Sequence, residues 1–368
     1  MLVEEETRGG EPTAGGGGQT SGRGVLGRLR SMTAARPRRS RLLLNLLTVV
    51  VTVGFSYIAL NGIDFHEVWH ALRTSDYWWI IPALAAFAVS AVCRGLRWRS
   101  LFAPGRRPPR GVVIDAMIVG YLYNNILPAR AGEAARVVVL TQRSDAPAVE
   151  IVGTVVLERI YDVVALLVIF FAAEPWLPHV SWFGAAAVAA LVLALGIAAA
   201  ATVLAVFGDR PLRFVLRPLQ RFPLFSGERL EQTVGELVHG LSGLRHASVA
   251  IEAFAWTAAA WMISALSGWL LTKAFPLHLP FSAGVLLVVA VGAGMILPAP
   301  PASVGVFEGA TLIALRAYHV SHSAALPFAL VLHVVNFVPF VALGALAVSY
   351  NARHPRRARS REPVATGV

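Results

Sequence analysis

Three charged side chains at a three-residue spacing mark the segment 121–136, which reads YLYNNILPARAGEAAR. Arg130 and Arg136 each lie three positions from Glu133, so the three side chains share one face of a helix that begins after Pro128. A helix N-terminus beside two arginines attracts an anion such as phosphate. In the alternative interpretation, the arginines are interface charges on a short cytoplasmic helix. Glu133 then either neutralises them or carries a proton.

A second charged group lies within the apolar segment 151–173. Glu158, Tyr161 and Asp162 fall on one side of a helix, with Arg159 beside them, about two turns into the segment. Charges at that depth in a membrane face the interior of a helical bundle or a water-filled cavity. The group is therefore a candidate for substrate binding. The alternative is a structural ion network with the arginines of the preceding segment.

Glu308 is the leading carboxylate candidate in the C-terminal half of the chain. Ser303 is placed to cap the helix that contains it, and Arg316 or an arginine of the first segment is expected to pair with it. His333 and Asn336, farther along, are explained by helix-to-helix hydrogen bonds. Trp261, like the other tryptophans of the apolar segments, is predicted to pack or to lie in an interface belt.

The segment 121–136 and the segment around Glu308 resemble each other. Residues 292–310 read GAGMILPAPPASVGVFEGA, and in both segments Ile-Leu-Pro-Ala follows an apolar run and precedes a Gly and Glu pair. Pro128 and Pro298 are 170 positions apart. Gly132 and Gly305 are the glycines of the two copies. Proline and glycine break a membrane helix where free backbone groups are costly, and such breaks line functional sites.

The composition places these charges in a membrane protein. Hydrophobic residues make up 56% and charged residues 14% of the 368, which is too apolar for a soluble chain of this length. Apolar runs of about 17 to 27 residues recur, and a helix of about 20 crosses the hydrocarbon core. Strand-like alternation is absent, which argues against a barrel.

The remaining composition excludes several classes of function. The net charge of +11 comes from arginines between the apolar runs, a pattern that orients membrane spans and does not indicate nucleic-acid binding. Cys93 is the single cysteine, so no internal disulfide forms and no metal site is expected. Phosphate-loop, zinc-protease and Gly-x-Ser-x-Gly motifs are absent. We therefore predict no cofactor, no metal and no enzymatic activity.

Basic segments orient the predicted spans. Residues 1–41 and 351–368 are predicted to be basic cytoplasmic tails, the first of them disordered, and residues 42–60 a signal anchor. The arginines from Arg94 to Arg110 mark a cytoplasmic loop after a span at 77–93. Residues 208–248 are predicted to form amphipathic helices on the cytoplasmic leaflet, where basic segments contact anionic lipid.

The order span, hairpin, span occurs twice in the transmembrane domain 42–350. The first copy comprises 77–93, 112–143 and 151–173, and the second 253–275, 281–318 and 324–350, in the opposite orientation. With spans at 42–60 and 182–207, this predicts an all-α integral membrane protein with six full spans and two re-entrant helical hairpins in an inverted repeat. Secondary transporters commonly have this plan. Eight or nine full spans is the alternative.

Three motifs resemble a known family. The segments NNILPARAGEAARVVVL (124–140), TVVLERIYDVVAL (154–166) and ILPAPPASVGVFEGATL (296–312) resemble, in this order, the flippase-like transmembrane region of lysylphosphatidylglycerol synthases, the multiple peptide resistance factor family. The resemblance covers roughly residues 42–350. By motif match, the family's marked positions are Arg130, Gly132, Glu133, Arg136, Glu158, Arg159, Asp162, Pro298, Gly305 and Glu308.

The resemblance implies a role in lipid movement. In the family, this membrane region is implicated in moving an aminoacylated phospholipid across the bilayer, and archaeal relatives are linked to polyprenyl-lipid-dependent glycosylation. Only a basic tail follows residue 350, without an aminoacyl-transfer domain, so we expect that this chain does not make the lysyl lipid itself.

Three functions are consistent with the sequence. The leading one is a flippase for a phospholipid or a polyprenyl-phosphate lipid in the cell membrane. In the second, the chain is a membrane subunit that presents a polyprenyl-phosphate lipid to a glycosyltransferase or another cell-envelope enzyme. The third is a small-anion transporter. The sequence leaves open whether the partner is such an enzyme or a second copy of the chain.

Overall fold

A computed structural model describes residues 65–127, 131–178, 247–295 and 301–353, together with the single positions 188, 192 and 196. In this part of the chain all regular secondary structure is helical. The α-helices, in chain order, are α1 (Phe65–Thr74), α2 (Ile80–Ser100), α3 (Arg110–Ile126), α4 (Ala131–Arg143), α5 (Ala148–Ala173), α6 (Ala247–Thr272), α7 (Phe281–Gly294), α8 (Val306–Arg316) and α9 (His322–Arg353).

Three of the described segments are long and apolar enough to cross a membrane: Tyr77–Ser100, Ser248–Thr272 and His322–Asn351. Large apolar side chains are exposed along α2 and α9, for example Val89 at 51% and Val338 at 54%. Lipid tails solvate such side chains, whereas water does not. The chain is therefore a membrane protein.

The shorter helices form two packed pairs, α3 with α4 and α7 with α8. In the first pair the helices approach closely because Gly132 faces Gly120, and a Cβ on Gly132 would lie 1.9 Å from the Gly120 carbonyl oxygen. The backbones can meet at this distance only without a side chain at position 132. Gly132 therefore brings α4, with its charged residues, against α3.

Helices α2 and α6 form the most extensive helix-to-helix contact of the described residues. Small polar residues hold this interface: the Ser90 hydroxyl donates to the Ala260 carbonyl at 2.9 Å, and the Ser267 hydroxyl donates to the Ala83 carbonyl at 2.7 Å. Small residues permit close packing and hydroxyls add hydrogen bonds where lipid offers none. The contact joins the N-terminal and C-terminal halves.

The buried apolar side chains form two large clusters, and both include residues of α2 and α6. One is built mainly from α2, α3, α4 and α5, and includes Trp98 and Leu157. The other is built mainly from α6, α7, α8 and α9, and includes Leu286 and Phe328. Each half of the described chain therefore has most of a hydrophobic core of its own.

The structure corrects the predicted end of the first described span. We predicted that it ends at Cys93 and that the following arginines lie in a loop, but α2 continues to Ser100. Arg97 is consequently a buried helical residue, with 1% of its surface exposed. The prediction failed because arginine was taken as a marker of the interface, whereas here carboxylates of a neighbouring helix compensate it.

Several predicted segments lie outside the described residues. They are the N-terminal tail and signal anchor at 1–60, residues 208–246, Pro128, Arg130, Pro298, the end of the C-terminal tail, and 182–207 apart from three single positions.

Candidate functional site

Arg136 of α4 points into the protein, towards α5. Its side chain is 5% exposed, and its two terminal nitrogens donate to Glu158 Oε2 at 2.8 Å and to Glu133 Oε2 at 2.6 Å. The guanidinium also lies over the Trp98 ring, 4.9 Å from its centroid. The burial follows from the α4 pattern, in which Gly132, Ala135, Arg136 and Val139 form one inward stripe.

Glu158 of α5 is shared between two arginines. Its second oxygen accepts a hydrogen bond from Arg97 Nη2 at 2.5 Å, and Arg97 Nη1 pairs with Asp162, one helical turn along α5. Both partners of the Arg97–Glu158 pair are nearly inaccessible. One guanidinium of α2 therefore bridges two carboxylates of α5.

Arg159 lies on the exposed side of these ion pairs. Its Nη2 donates to Glu133 Oε1 at 2.7 Å and its Nη1 to Asp162 Oδ2 at 3.4 Å, yet 48% of its side chain is exposed. Asp162 also accepts a hydrogen bond from the Trp261 indole at 3.0 Å. Trp261 packs against the small apolar cluster of Ile169, Ala265 and Val285, as predicted, but its polar contact with Asp162 was not predicted.

We call Arg97, Glu133, Arg136, Glu158, Arg159 and Asp162 the ion cluster. Its three guanidinium groups balance its three carboxylates. A buried charge without a partner would cost several kcal/mol, so the pairing explains how six charges from three helices lie so close together. The structure thus brings together every predicted charged residue of the N-terminal half that it describes.

Arg94 is a cation next to the ion cluster with no carboxylate partner among the described residues. Its guanidinium lies 4.4 Å from the centroid of the Trp261 ring and donates to Ser264 Oγ at 3.3 Å. Because the cluster itself is balanced, Arg94 leaves this region with an excess positive charge. The region is therefore electrostatically suited to an anion.

Sequence reasoning missed Arg94, Arg97 and the polar role of Trp261. The available signal was the helical spacing: Arg97 follows Ser90 by seven residues and Cys93 by four, on the face that packs inward. This spacing pointed to an inward arginine on α2.

Glu308 lies in the second helix pair with different partners. One of its oxygens accepts a hydrogen bond from the Gly305 backbone N–H at 2.7 Å, and the other lies 2.5 Å from His333 Nδ1 on α9. Neither Arg316 nor an arginine of the ion cluster pairs with it, contrary to prediction. His333 does form the predicted helix-to-helix hydrogen bond, whereas Asn336 bonds to Leu332 of its own helix.

The start of α8 also differs from the prediction. Gly305, with a φ of 82°, takes the capping position, and Ser303 lies before it in a short 3₁₀ turn with a φ of 58°. Ala302 has a φ of 57°. This left-handed turn lies against α3, so the tip of the second helix pair contacts a helix of the first.

The family model described as the lysylphosphatidylglycerol synthase TM region matches residues 45–344. This match confirms the resemblance carried by the three motifs.

A more distant relative is the glycosyltransferase AglD of Haloferax volcanii, which is 28% identical over 132 residues. That stretch is 36% of this chain and only 21% of the relative, so the chain spans about a fifth of the relative's length.

Proposed function

The chain belongs to the family of the lysylphosphatidylglycerol synthase TM region, and from this premise we propose that it is a flippase-like lipid transporter. It moves a phosphate-bearing lipid head group across the cell membrane and catalyses no chemical reaction. Arg159, Arg136 and Arg130 attract the phosphate, and Glu133, Glu158, Asp162 and Glu308 balance charge.

One observation carries the proposal: a balanced ion cluster in a membrane protein with one half-exposed guanidinium. Arg97 and Arg136 have both terminal nitrogens on carboxylates and are 1% and 5% exposed. Arg159 is 48% exposed and shares Glu133 with Arg136. Arg159 is therefore the member of the cluster that a ligand reaches first.

The position of Arg159 suits a lipid that enters from the side. It follows Val152 and Val156 on one stripe of α5, and these two valines are 41% and 44% exposed. Acyl chains can lie along such an apolar stripe while the head group contacts the guanidinium. Glu133 holds Arg159 through one oxygen, whereas a phosphate in its place can form a bidentate pair with the guanidinium. The arginine therefore keeps an anionic partner during the exchange.

The proposed transmembrane plan is an inverted repeat of α2 to α5 and α6 to α9, with α3–α4 and α7–α8 as re-entrant hairpins. It comprises six full spans, and both termini are cytoplasmic. The symmetry of the packing supports it. When the two halves are exchanged, the contact of α3 with α9 becomes that of α7 with α5, and both occur.

Individual residues follow the same symmetry. Ser90 contacts Ala260 and Arg94 contacts Ser264, and each pair is 170 positions apart. This spacing equals that between Pro128 and Pro298 in the repeated motif. Residues that contact their own equivalents lie beside a two-fold axis, so these contacts support an axis between α2 and α6.

A glycine contact supports the same relationship. A Cβ on Gly344 of α9 would lie 2.5 Å from Leu122 Cβ of α3, and one on Gly292 of α7 would lie 2.6 Å from Leu166 of α5. Leu122 and Gly292 are again 170 positions apart, and their partners Gly344 and Leu166 are 178 apart, so the two contacts correspond to within about two helical turns. Two similar halves of opposite orientation allow one site to face the two sides of the membrane alternately.

The proposal is tested with the purified full chain in phosphatidylcholine vesicles that contain fluorescent phosphatidylglycerol. We expect Arg159→Gln to slow probe movement between leaflets at least tenfold, because the accessible guanidinium is lost. Arg106→Gln is the matched control, since Arg106 is 51% exposed and also pairs with a carboxylate, Glu150. Equal rates for both variants and the unaltered chain would reject the role of Arg159.

The second candidate is presentation of a polyprenyl-phosphate lipid to a glycosyltransferase or another cell-envelope enzyme. The specific observation in its favour is the similarity of 132 residues to a protein named as a glycosyltransferase. The same guanidinium would hold the lipid phosphate without moving it. Isolation of the chain in gentle detergent with a glycosyltransferase, together with no probe movement by the chain alone, would favour this candidate.

A further inference from the structure

The second helix pair contains an acid and a base that the ion cluster does not use. We propose that the Glu308–His333 pair is a proton-binding site and that proton movement through it is coupled to lipid movement. This inference rests on the proposed transport function and adds the ion that drives it.

The pair is enclosed. Glu308 is 7% exposed and the His333 side chain 12%. The imidazole packs against two phenyl rings that also contact each other, with centroids 4.9 Å from Phe307 and 4.2 Å from Phe337. Aromatic walls restrict water, so the electrostatic interaction between the two side chains is strong.

The pair occupies the place in the second half that an arginine–glutamate pair occupies in the first. Arg136 of α4 pairs with Glu158 of α5, and Glu308 of α8 pairs with His333 of α9. Each pair joins the second helix of a helix pair to the long helix that follows. The chemistry differs, because arginine keeps its proton at all physiological pH values, whereas histidine gains and loses one between pH 5 and 8.

A proton on His333 therefore changes the force that holds α8 against α9. With the imidazolium form, the contact is an ion pair without net charge. When the proton leaves, the carboxylate keeps a neutral imidazole and the Gly305 N–H at the positive end of α8 as its partners. The contact weakens, and the first turn of α8 is free to shift.

The backbone before α8 has strained dihedral angles that would allow such a shift. Ala302, Ser303 and Gly305 all have positive φ values, from 57° to 82°. Such conformations are sparsely populated for residues other than glycine and persist only where the surroundings hold them. Because this turn also touches α3, movement of α8 reaches the helix pair that bears Glu133 and Arg136.

No other titratable group of the described residues is within ion-pair distance of Glu308 or His333. Helix α7, which packs on α8, has no titratable side chain, and the next charge on α8 is Arg316, two turns beyond Glu308. Glu308 is the charged group within ion-pair distance of His333 in the described part of the chain. The other titratable side chains that the structure describes on helices packed against α9 are His66, His70 and Arg73 of α1, Cys93, Arg94, Arg97 and Arg99 of α2, Arg110, Asp115, Tyr121 and Tyr123 of α3, and Glu252 of α6.

Four of these charged side chains have partners other than Glu308 and His333. Asp115 pairs with Arg143 and accepts hydrogen bonds from Asn351 at the far end of α9. Glu252 pairs with Arg107 at 2.7 Å. Arg94 and Arg97 lie at the ion cluster, as described above.

The test uses the full chain in phosphatidylcholine vesicles with fluorescent phosphatidylglycerol and an imposed difference of one pH unit. If one proton moves per lipid, the gradient shifts the ratio of probe in the two leaflets by up to roughly tenfold from its value at equal pH. His333→Asn retains a side-chain N–H near the Nδ1 position but does not titrate. We expect this variant to move the probe with no response to the gradient.

The matched control is His278→Asn. His278 is an exposed histidine with a φ of 46°, a conformation that asparagine tolerates, and we expect its response to equal that of the unaltered chain. A gradient response that persists in His333→Asn overturns the inference. Probe movement by the unaltered chain without any gradient response also overturns it, while the absence of probe movement at equal pH rejects the transport function instead.

A measurement on the unaltered chain covers the case in which His333→Asn fails to fold. Probe added to the outer leaflet alone should change the pH inside the vesicles as it equilibrates, as read by a trapped pH dye. Probe movement with constant internal pH overturns the coupling.

Discussion

Arg97 of α2 and Glu158 of α5 are 61 positions apart in sequence, and their side chains meet at 2.5 Å with almost no exposed surface. The contact joins α2, α4 and α5 through buried ion pairs, because Arg97 also pairs with Asp162 and Glu158 also pairs with Arg136. A buried pair of this kind is weak evidence for stability by itself, but removal of one partner is costly.

The first prediction concerns this pair. Arg97→Met should lower the free energy of unfolding by about 3 to 5 kcal/mol, because Glu158 and Asp162 lose a shared cation in a buried site. Thermal unfolding of the purified protein in detergent measures the change. Arg106→Met is the control, and its half-exposed pair with Glu150 should contribute less than about 1 kcal/mol. Similar melting temperatures for the two variants would show that Arg97 is not held as described.

The second prediction concerns the approach of α3 and α4. In Gly132→Ala the new methyl group would meet the Gly120 carbonyl oxygen at 1.9 Å, so the helices must separate. We expect a loss of about 1 to 3 kcal/mol in stability, together with reduced probe transport, because Arg136 moves away from Glu158.

Gly111→Ala provides the comparison for that variant. Gly111 lies on the same helix as Gly120, and a Cβ there has open space around it. Its replacement should change stability by less than about 1 kcal/mol, and helix propensity favours alanine. If Gly132→Ala is as well tolerated as Gly111→Ala, the close contact of α3 and α4 does not exist in the membrane.

The third prediction concerns orientation. In a Cys93→Ser background, Trp78→Cys and Trp176→Cys should react with an impermeant maleimide added to intact cells. Both tryptophans are more than 70% exposed, and the proposed arrangement puts them at the outer face. Arg106→Cys should react only after the membrane is opened. Reaction of Arg106→Cys from outside would contradict the proposed arrangement of six spans.

The sequence predicted much of the site because its signals are local. The three-residue spacing of Glu133 and Arg136 indicated a shared helical face, and the structure places both on α4 with their side chains in contact. The position of Glu158 and Asp162 inside an apolar run indicated that they face the protein interior, where both are buried.

The remaining contacts depend on tertiary packing and had weaker signals. Arg97 was missed because a cluster of arginines after an apolar run ordinarily marks a cytoplasmic loop, and only the carboxylates of α5 make its burial tolerable. His333 was not predicted as the partner of Glu308 because the two residues meet across separate helices. Ser303 was wrongly predicted to cap α8 because its left-handed backbone conformation is not visible in the sequence.

If the chain moves a phosphate-bearing head group between leaflets, as proposed, it discriminates between lipids with and without phosphate. The most direct measurement is the fraction of fluorescent lipid that an impermeant reductant quenches in sealed vesicles containing the purified chain. With a phosphatidylglycerol probe we predict quenching well beyond the outer-leaflet half. With a glucosyl diacylglycerol probe, which lacks phosphate, quenching should stop near half. Quenching that stops near half for both probes, or exceeds it equally for both, would contradict the proposed transport of a phosphate-bearing lipid.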